Sequence, residues 1–335
     1  MKDIPVSTPI DAVIMWVDGA DPEHAARLDT FLRNKGLARE GGANKARFHH
    51  AGELDYCVTS LLKFAPWLRT IFIVTDQQRP PLLDKLVGTS FEQRVCLIDH
   101  SVIFAEYPEC LPSFNSMAIS SLLWRIPGLA EQFLYLNDDF MLIQPTYPDD
   151  FFRDGKVVLR GTWRLLPEAV PGSPMIRLVR RCLGREQKKN RVSFWALQQS
   201  CARQLRFTKK YFRLPHVPHA WKRSSWEQIS NEFPAVINTN TSAQLRSSGQ
   251  YVPEALSSHF HWRRNLAVLD NARTNMQLKP GEQSLFRIRL KLRHAEINNN
   301  VIFACVQSVE AGSAKKQKLI FSWLDKRIGS LEELL

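Results

Sequence analysis

The chain has 335 residues, 44% hydrophobic and 23% charged, which excludes a disordered, collagen-like or coiled-coil protein. Its 45 lysines and arginines outnumber 33 aspartates and glutamates, but unevenly: residues 1–150 sum to −7 and residues 151–335 to +19. An acidic half beside a basic one argues against a plain nucleic-acid binder and suits a site where carboxylates hold a cation and basic groups hold phosphate.

The start, Met1-Lys2-Asp3-Ile4-Pro5, has no apolar run of the kind a secretory signal carries. No apolar stretch approaches the ~20 residues of a membrane span. Six cysteines, at 57, 96, 110, 182, 201 and 305, lie far apart without a C-x-x-C pair, so reduced thiols in a cytoplasmic protein are expected. Ile10 to Val17 reads as a buried strand that leaves its sheet at Asp18-Gly19. Glu53 to Phe64 sets Leu54, Cys57, Val58, Leu61 and Leu62 on one helical face, and Pro66 stops it. Two further strands run from Ile71 to Val74 and from Arg94 to Ile98, ending at Asp76 and Asp99. Asn115 to Ile126 reads as a helix capped by Ser113 or Asn115 and closed by Pro127-Gly128. Phe133 to Leu136 then runs into Asn137-Asp138-Asp139. Strands alternating with helices predict an α/β fold, a mostly parallel sheet covered on both faces.

Beyond residue 150 the pattern loosens. Met175 to Phe207 is basic and reads as helical, crowding Arg177, Arg180, Arg181, Arg185, Lys188, Lys189 and Arg191. This cluster is expected to hold a polyanionic polymer or an anionic lipid surface, with a solvated basic face as the plain alternative. Pro215, Pro218 and Pro234 mark loops, His259 and His261 read as alternate positions on a strand, and Lys315 to Arg327 closes the chain as a helix. The division expected is an α/β core over 1–150, a basic helical insertion over 151–210, and a remainder over 211–335 that completes the site.

Four strands thus end in aspartate. In open α/β sheets ligands bind beyond the carboxyl ends of the strands, where parallel strands gather such residues. Asp76 and Asp99 are read as turn or cap residues. Asp138-Asp139 is the strongest metal signal, because Mg²⁺ takes one or two carboxylates and completes its shell with phosphate and water. Adjacent strand residues point to opposite faces, so both reach one ion only if the backbone turns there. Asp18, beside Gly19, is open to sugar hydroxyls, a ribose or a metal, or to a plain Asp-Gly turn. His216-Val217-Pro218-His219 offers two imidazoles near neutral pKa, and Arg246 a bidentate phosphate grip.

Taken together these blocks resemble the stealth family of sugar-1-phosphate transferases, which includes bacterial capsular polysaccharide phosphotransferases. The first block is Pro9 to Pro22, with Met15-Trp16-Val17-Asp18-Gly19-Ala20-Asp21 at its heart. The second runs from Arg47 through Ala65-Pro66-Trp67-Leu68-Arg69 and Leu111-Pro112-Ser113-Phe114-Asn115 to Tyr135-Leu136-Asn137-Asp138-Asp139. The third is Pro215-His216-Val217-Pro218-His219-Ala220 with Arg246, and the fourth Phe303-Ala304-Cys305 with the closing helix. Two departures stand out: after Val306, Gln307-Ser308 stands where the fourth block usually carries Asn-Asp, and Leu245-Arg246 replaces a Phe-Arg pair in the third.

The resemblance implies a Rossmann-like, GT-A-like core, a UDP-sugar donor and Mg²⁺ or Mn²⁺. It also implies transfer of hexose-1-phosphate, N-acetylhexosamine favoured, to a saccharide hydroxyl with release of UMP. In that scheme Asp138 and Asp139 hold the metal, and Asp18, Gly19, Asn115 and His216 lie in the donor site. His219 is the base, with Asp139 and Arg246 completing the catalytic set. Two alternatives remain open: a metal-dependent glycosyltransferase releasing UDP, and a non-catalytic polyanion- or membrane-binding protein. The expected partners are a UDP-hexose and an oligosaccharide or polysaccharide, with peripheral contact at the inner membrane face and no nucleic acid.

Overall fold

Strand β1 (Ile10–Met15) is buried along its whole length, as a run of β-branched and apolar residues in a central parallel strand must be. The computed structural model that shows this describes residues 8–37, 52–170, 194–247 and 249–335. Beside β1 lie β2 (Ile71–Thr75), then β3 (Val95–Asp99), both parallel. On its other side lies β4 (Gln132–Asn137), also parallel, with Met15 opposite Asn137. The chain therefore steps outward from β1 to β3 and returns to the opposite flank of β1. The gap between the carboxyl ends of β1 and β4 is the switch point where open α/β sheets bind ligands. The α/β, mostly parallel expectation holds.

The opposite end of the sheet is pinned. Asp11, fully buried inside β1, accepts Arg69 Nε at 2.9 Å and the amides of Thr70 and Ala130 at 3.2 and 2.7 Å. A carboxylate inside a sheet core is tolerated only when it is paired and hydrogen-bonded in this way. The bonds lock the starts of β2 and β4 to β1 and leave the carboxyl ends free for chemistry.

Helix α1 (Pro22–Asn34) is capped by Asp21, and α2 (Glu53–Phe64) packs its Leu54, Cys57, Val58 and Leu61 into the main core. The stretch read as a helix over 115–126 is shorter: α3 covers Ser116–Ser120, and a 3₁₀ turn covers Leu123–Arg125. After the Asp138-Asp139 turn, β5 (Phe140–Leu142) leaves the main sheet and joins a second one with β12 (Thr274–Leu278) and β13 (Val301–Val306). Phe140 and Leu142 enter the main core, while Met141 and Ile143 enter a second core under α6 (Leu285–Ile297) and α7 (Ala314–Arg327). This is the period-two alternation of a strand buried on both faces.

The later segments fold onto the same core. β6 (Phe152–Arg153), β7 (Lys156–Leu159) and β11 (Ala267–Leu269) form a third sheet, and β8 (Thr162–Leu165) pairs with β9 (Lys210–Arg213). β10 (His219–Lys222) adds to the main sheet antiparallel to β4. One hydrophobic cluster runs from Ile10 to Leu331, so the divisions at 150 and 210 mark changes of sequence character, not separate cores. The stretch expected as a basic helical insertion holds strands over 152–165 and α4 (Phe194–Gln204), and the basic cluster from Arg177 to Arg191 lies outside the described residues. Among the described residues, no helix is long and apolar enough to cross a membrane.

His259 and His261 are on helix α5 (Pro253–Arg263), not on a strand. Both are fully buried, and His259 Nε2 accepts the Phe212 amide at 2.9 Å while its Nδ1 meets the Ala255 carbonyl at 2.6 Å. A helical turn also brings His261 Nδ1 to the Ser257 carbonyl, which is helical geometry that a strand reading cannot provide.

Candidate active site

A cavity of about 370 Å³ opens at the switch point. The end of β1 contributes Met15, Trp16 and Val17, and the end of β4 contributes Asn137, Asp138 and Asp139. Glu53 faces it from the first turn of α2, Ser116 from α3, and Gln307, Ser308 and Glu310 from the segment after β13. Arg246 lines it from a loop and donates to Ser116 Oγ. The turn after β4 is what lets both aspartates reach one space.

The electrostatics are those of anions crowded together. Burial pushes the Asp138 carboxyl well above its ordinary value, and the charges of Asp139 and Glu53 push it further. Burial likewise pushes Asp139 up to about 7, against the Cys305 thiol, whose hydrogen bond favours the anion. Asp139 Oδ1 is out of water and has no hydrogen-bond partner among the described residues. Beneath them the Cys57 and Cys305 thiols are held protonated by burial and by the two aspartates. Carboxylates arranged this way are stabilised by a cation.

Among the described residues, no three His, Cys, Asp or Glu side chains form a closed metal cage. The donor set nonetheless fits a hard divalent ion, which takes one or two carboxylates and fills its remaining positions from substrate phosphate and water. The unsatisfied Asp139 oxygen is where such an ion has something to gain. Arg246 brings the opposite charge to the same cavity.

The structure thus joins Asp138, Asp139 and Arg246, and leaves the other expected residues outside the cavity lining. Asp18 spends its Oδ1 on the Ala20 amide at 2.8 Å, so Asp18-Gly19 forms a turn at the rim. Asn115 is fully buried: its Oδ1 accepts the Met117 amide, capping α3, and its Nδ2 donates to the Ala243 carbonyl. It supports the wall through its neighbours Phe114 and Ser116, with its oxygen and one of its two amide hydrogens already committed. His219 stacks on Tyr135, ring centroids 6.4 Å apart, one strand over from the aspartates. Burial, together with His216 and Arg160, pulls it down to about 3, which makes a weak base. His216 lines a separate basic cavity. Asp76 and Asp99 are structural, the first bound to His24 and Arg27 and the second capping the turn at His100.

Two carboxylates escaped the sequence reading. Glu53 lies within the second block but reads as the polar start of a helix. Glu310 lies four residues beyond β13, and the missing Asn-Asp pair was the only signal that this segment borders the site.

Residues 8–36 match the model of Stealth protein conserved region 1, and residues 47–159 that of conserved region 2. The chain belongs to the Stealth family. Exopolysaccharide phosphotransferase SCO6023 of Streptomyces coelicolor is 35% identical to this Stealth chain over 271 residues, 80% of the chain and 42% of that protein. Exopolysaccharide phosphotransferase SCO2594 of the same organism is 31% identical over 323 residues, 95% and 50% of the two. Capsular polysaccharide phosphotransferase cps1A of Actinobacillus pleuropneumoniae is 39% identical over 147 residues, 44% and 39% of the two. The Stealth chain spans half or less of the length of these relatives. Among solved structures, mouse xyloside xylosyltransferase 1 overlaps 89% of this chain and 97% of its own at a TM-score of 0.42 and 12% identity, a likeness too loose to bear on function.

Proposed function

We propose that this Stealth chain is a phosphotransferase that moves a sugar-1-phosphate from a UDP-sugar, with N-acetylhexosamine favoured, to a hydroxyl of a saccharide acceptor in the assembly of a surface polysaccharide. The acceptor oxygen forms a bond to the β-phosphorus, the bond from that phosphorus to the bridging oxygen breaks, and UMP leaves with the bridging oxygen. The observation that carries this reading is the meeting of Asp138, Asp139 and Arg246 in one cavity at the switch point. The phosphotransferase names of the relatives support it.

Phosphoryl transfer needs positioning and charge stabilisation more than covalent machinery. Mg²⁺ or Mn²⁺, held by Asp138 and Asp139, would supply neutralisation of the diphosphate charge. Arg246 clamps a phosphoryl oxygen, and Ser116 orients its guanidinium. The acceptor proton passes to Glu310, whose carboxylate has no hydrogen bond or ion pair among the described residues, and not to His219. A cytoplasmic location with peripheral contact at the inner membrane face accompanies this reading.

The test is incubation with a panel of UDP-sugars, Mg²⁺ and oligosaccharide primers, followed by phosphorus NMR and separation of nucleotides. A phosphodiester signal with UMP is expected. UDP without a diester would move the attack to the anomeric carbon and overturn the proposal in favour of glycosyl transfer.

A further inference from the structure

A second cavity, about 540 Å³, has His216 and Val217 in its lining. Arg160, Arg164, Arg213, Arg273, Lys279 and Lys291 line it, and no carboxylate does among the described residues. They come from β7–β8, β9, β12 and α6, so no single basic helix face accounts for the charge. Asp150 and Glu282 each touch part of this set from outside the lining: Asp150 reaches Arg273 at 3.5 Å, and Glu282 reaches Lys279 at 3.6 Å. The Arg164 guanidinium has neither an ion pair nor a hydrogen bond among the described residues.

The walls are built for a fixed geometry. Arg160 is only 5% exposed, donates to the Asp150 carbonyl at 2.6 Å, and leaves its Nε without a partner among the described residues. Burying a guanidinium with an unused donor is costly, and a ligand oxygen would relieve that cost. Asn271 holds both the amide and the carbonyl of Gly161 at 2.9 and 3.0 Å. Gly161, at φ +148°, lets β8 approach β9 so closely that a Cβ there would sit 2.5 Å from the Arg213 carbonyl oxygen. Arg213 in turn stacks on Trp195, 3.8 Å from the ring centroid. Forked guanidiniums fixed around an acid-free cavity match the oxygens of a phosphate.

We propose that this cavity binds a phosphate group, and that in the working enzyme the group belongs to a phosphodiester of the saccharide acceptor. The second half of that statement rests on the transferase reading, and the first does not. Gln277, in the lining of this cavity, donates to Gln307 Oε1, in the lining of the acidic one, over 2.7 Å, so the two cavities adjoin and an acceptor anchored here by its phosphate can extend a hydroxyl toward the acidic one.

The experiment is isothermal titration of the full chain at low salt with inorganic phosphate and, separately, with UMP, comparing wild type, the double variant Arg164→Gln/Lys279→Gln, and Asp138→Asn. Phosphate affinity is expected to fall roughly tenfold or more in the double variant, since two charged donors are lost, and to hold in Asp138→Asn. UMP affinity is expected to stay unchanged in the double variant. Unchanged phosphate affinity in a folded double variant would overturn the proposal, and so would a parallel loss of UMP, which would give the cavity to the donor. With turnover, KM for a primer carrying a phosphodiester should rise in the double variant while that for a neutral primer does not. Absence of turnover with every donor would sink the transferase reading and leave the phosphate titration to judge the cavity.

Discussion

The thiol of Cys305 donates to Asp139 Oδ2 over 3.4 Å, and the amide of the next residue, Val306, donates to the Asp139 carbonyl over 3.0 Å. These bonds fasten the end of β13 to the acidic turn after β4, and bring Gln307, Ser308 and Glu310 to the cavity. The thiol is also what holds the Asp139 carboxyl down against burial. Cys305→Ala is therefore expected to raise the Asp139 pKa above about 7 and to weaken divalent-ion binding most at pH 6–7, where protons compete. Metal titrations at pH 6.5 and 8.5 check it, and equal affinities in variant and wild type at both would remove the thiol from the site.

Stability should depend on pH in a direction set by the same carboxylates. Asp139 ionises at about 7 in the folded chain against an ordinary 3.8, and Asp138 is shifted the same way. The folded state thus binds protons more tightly than the unfolded one. This contribution to stability is fully present below pH 4 and is lost as pH rises through about 7. Removing the anion by Asp139→Asn should raise the metal-free melting temperature at pH 7.5 by about 2–4 °C and change it little at pH 4. Mg²⁺ should stabilise the wild type at pH 7.5 more than at pH 5. Thermal melts across this range decide the matter, and a melting temperature indifferent to Mg²⁺ at every pH would count against a cation at the turn.

The Glu310 carboxylate has no hydrogen bond or ion pair to lose among the described residues, so Glu310→Gln should leave the melting temperature unchanged. If it receives the acceptor proton, kcat should fall about 100-fold with little change in donor KM. His219→Gln should fall much less. The reverse order in steady-state assays would return the base to the histidine.

The central sheet was legible because its strands are local runs with period-two or fully apolar patterning, and the acidic ends of β1 and β4 follow from parallel pairing. The acidic turn was legible too, since Asp138-Asp139 breaks the strand where both side chains can face one space. The Glu310 wall was not, because it depends on β13 pairing with β5, whose ladder joins Cys305 to Phe140 across the chain. His259 and His261 misled for a related reason: two-residue spacing fits a strand, but Pro253 starts a helix that packs them inward. The basic cavity gathers side chains from four separated segments, and sequence showed only that the half of the chain they come from is positive.

Asn115 provides the last test, because capping a helix and touching a donor predict different defects. Its Oδ1 caps α3, and its Nδ2 ties Ala243 at the base of the loop that carries Arg246. The neighbouring bond from the Phe114 amide to the Gln244 carbonyl, 2.9 Å, strengthens that tie. Asn115→Asp keeps the cap but sets a carboxylate against the Ala243 carbonyl, costing about 1–3 kcal/mol in a urea melt. The loop should shift, and donor KM should rise roughly tenfold through a displaced Arg246, with kcat near wild type. Asn115→Ala, which loses cap and tie together, should be the less stable of the two variants. A collapse of kcat in Asn115→Asp at unchanged stability would instead place the amide against the substrate.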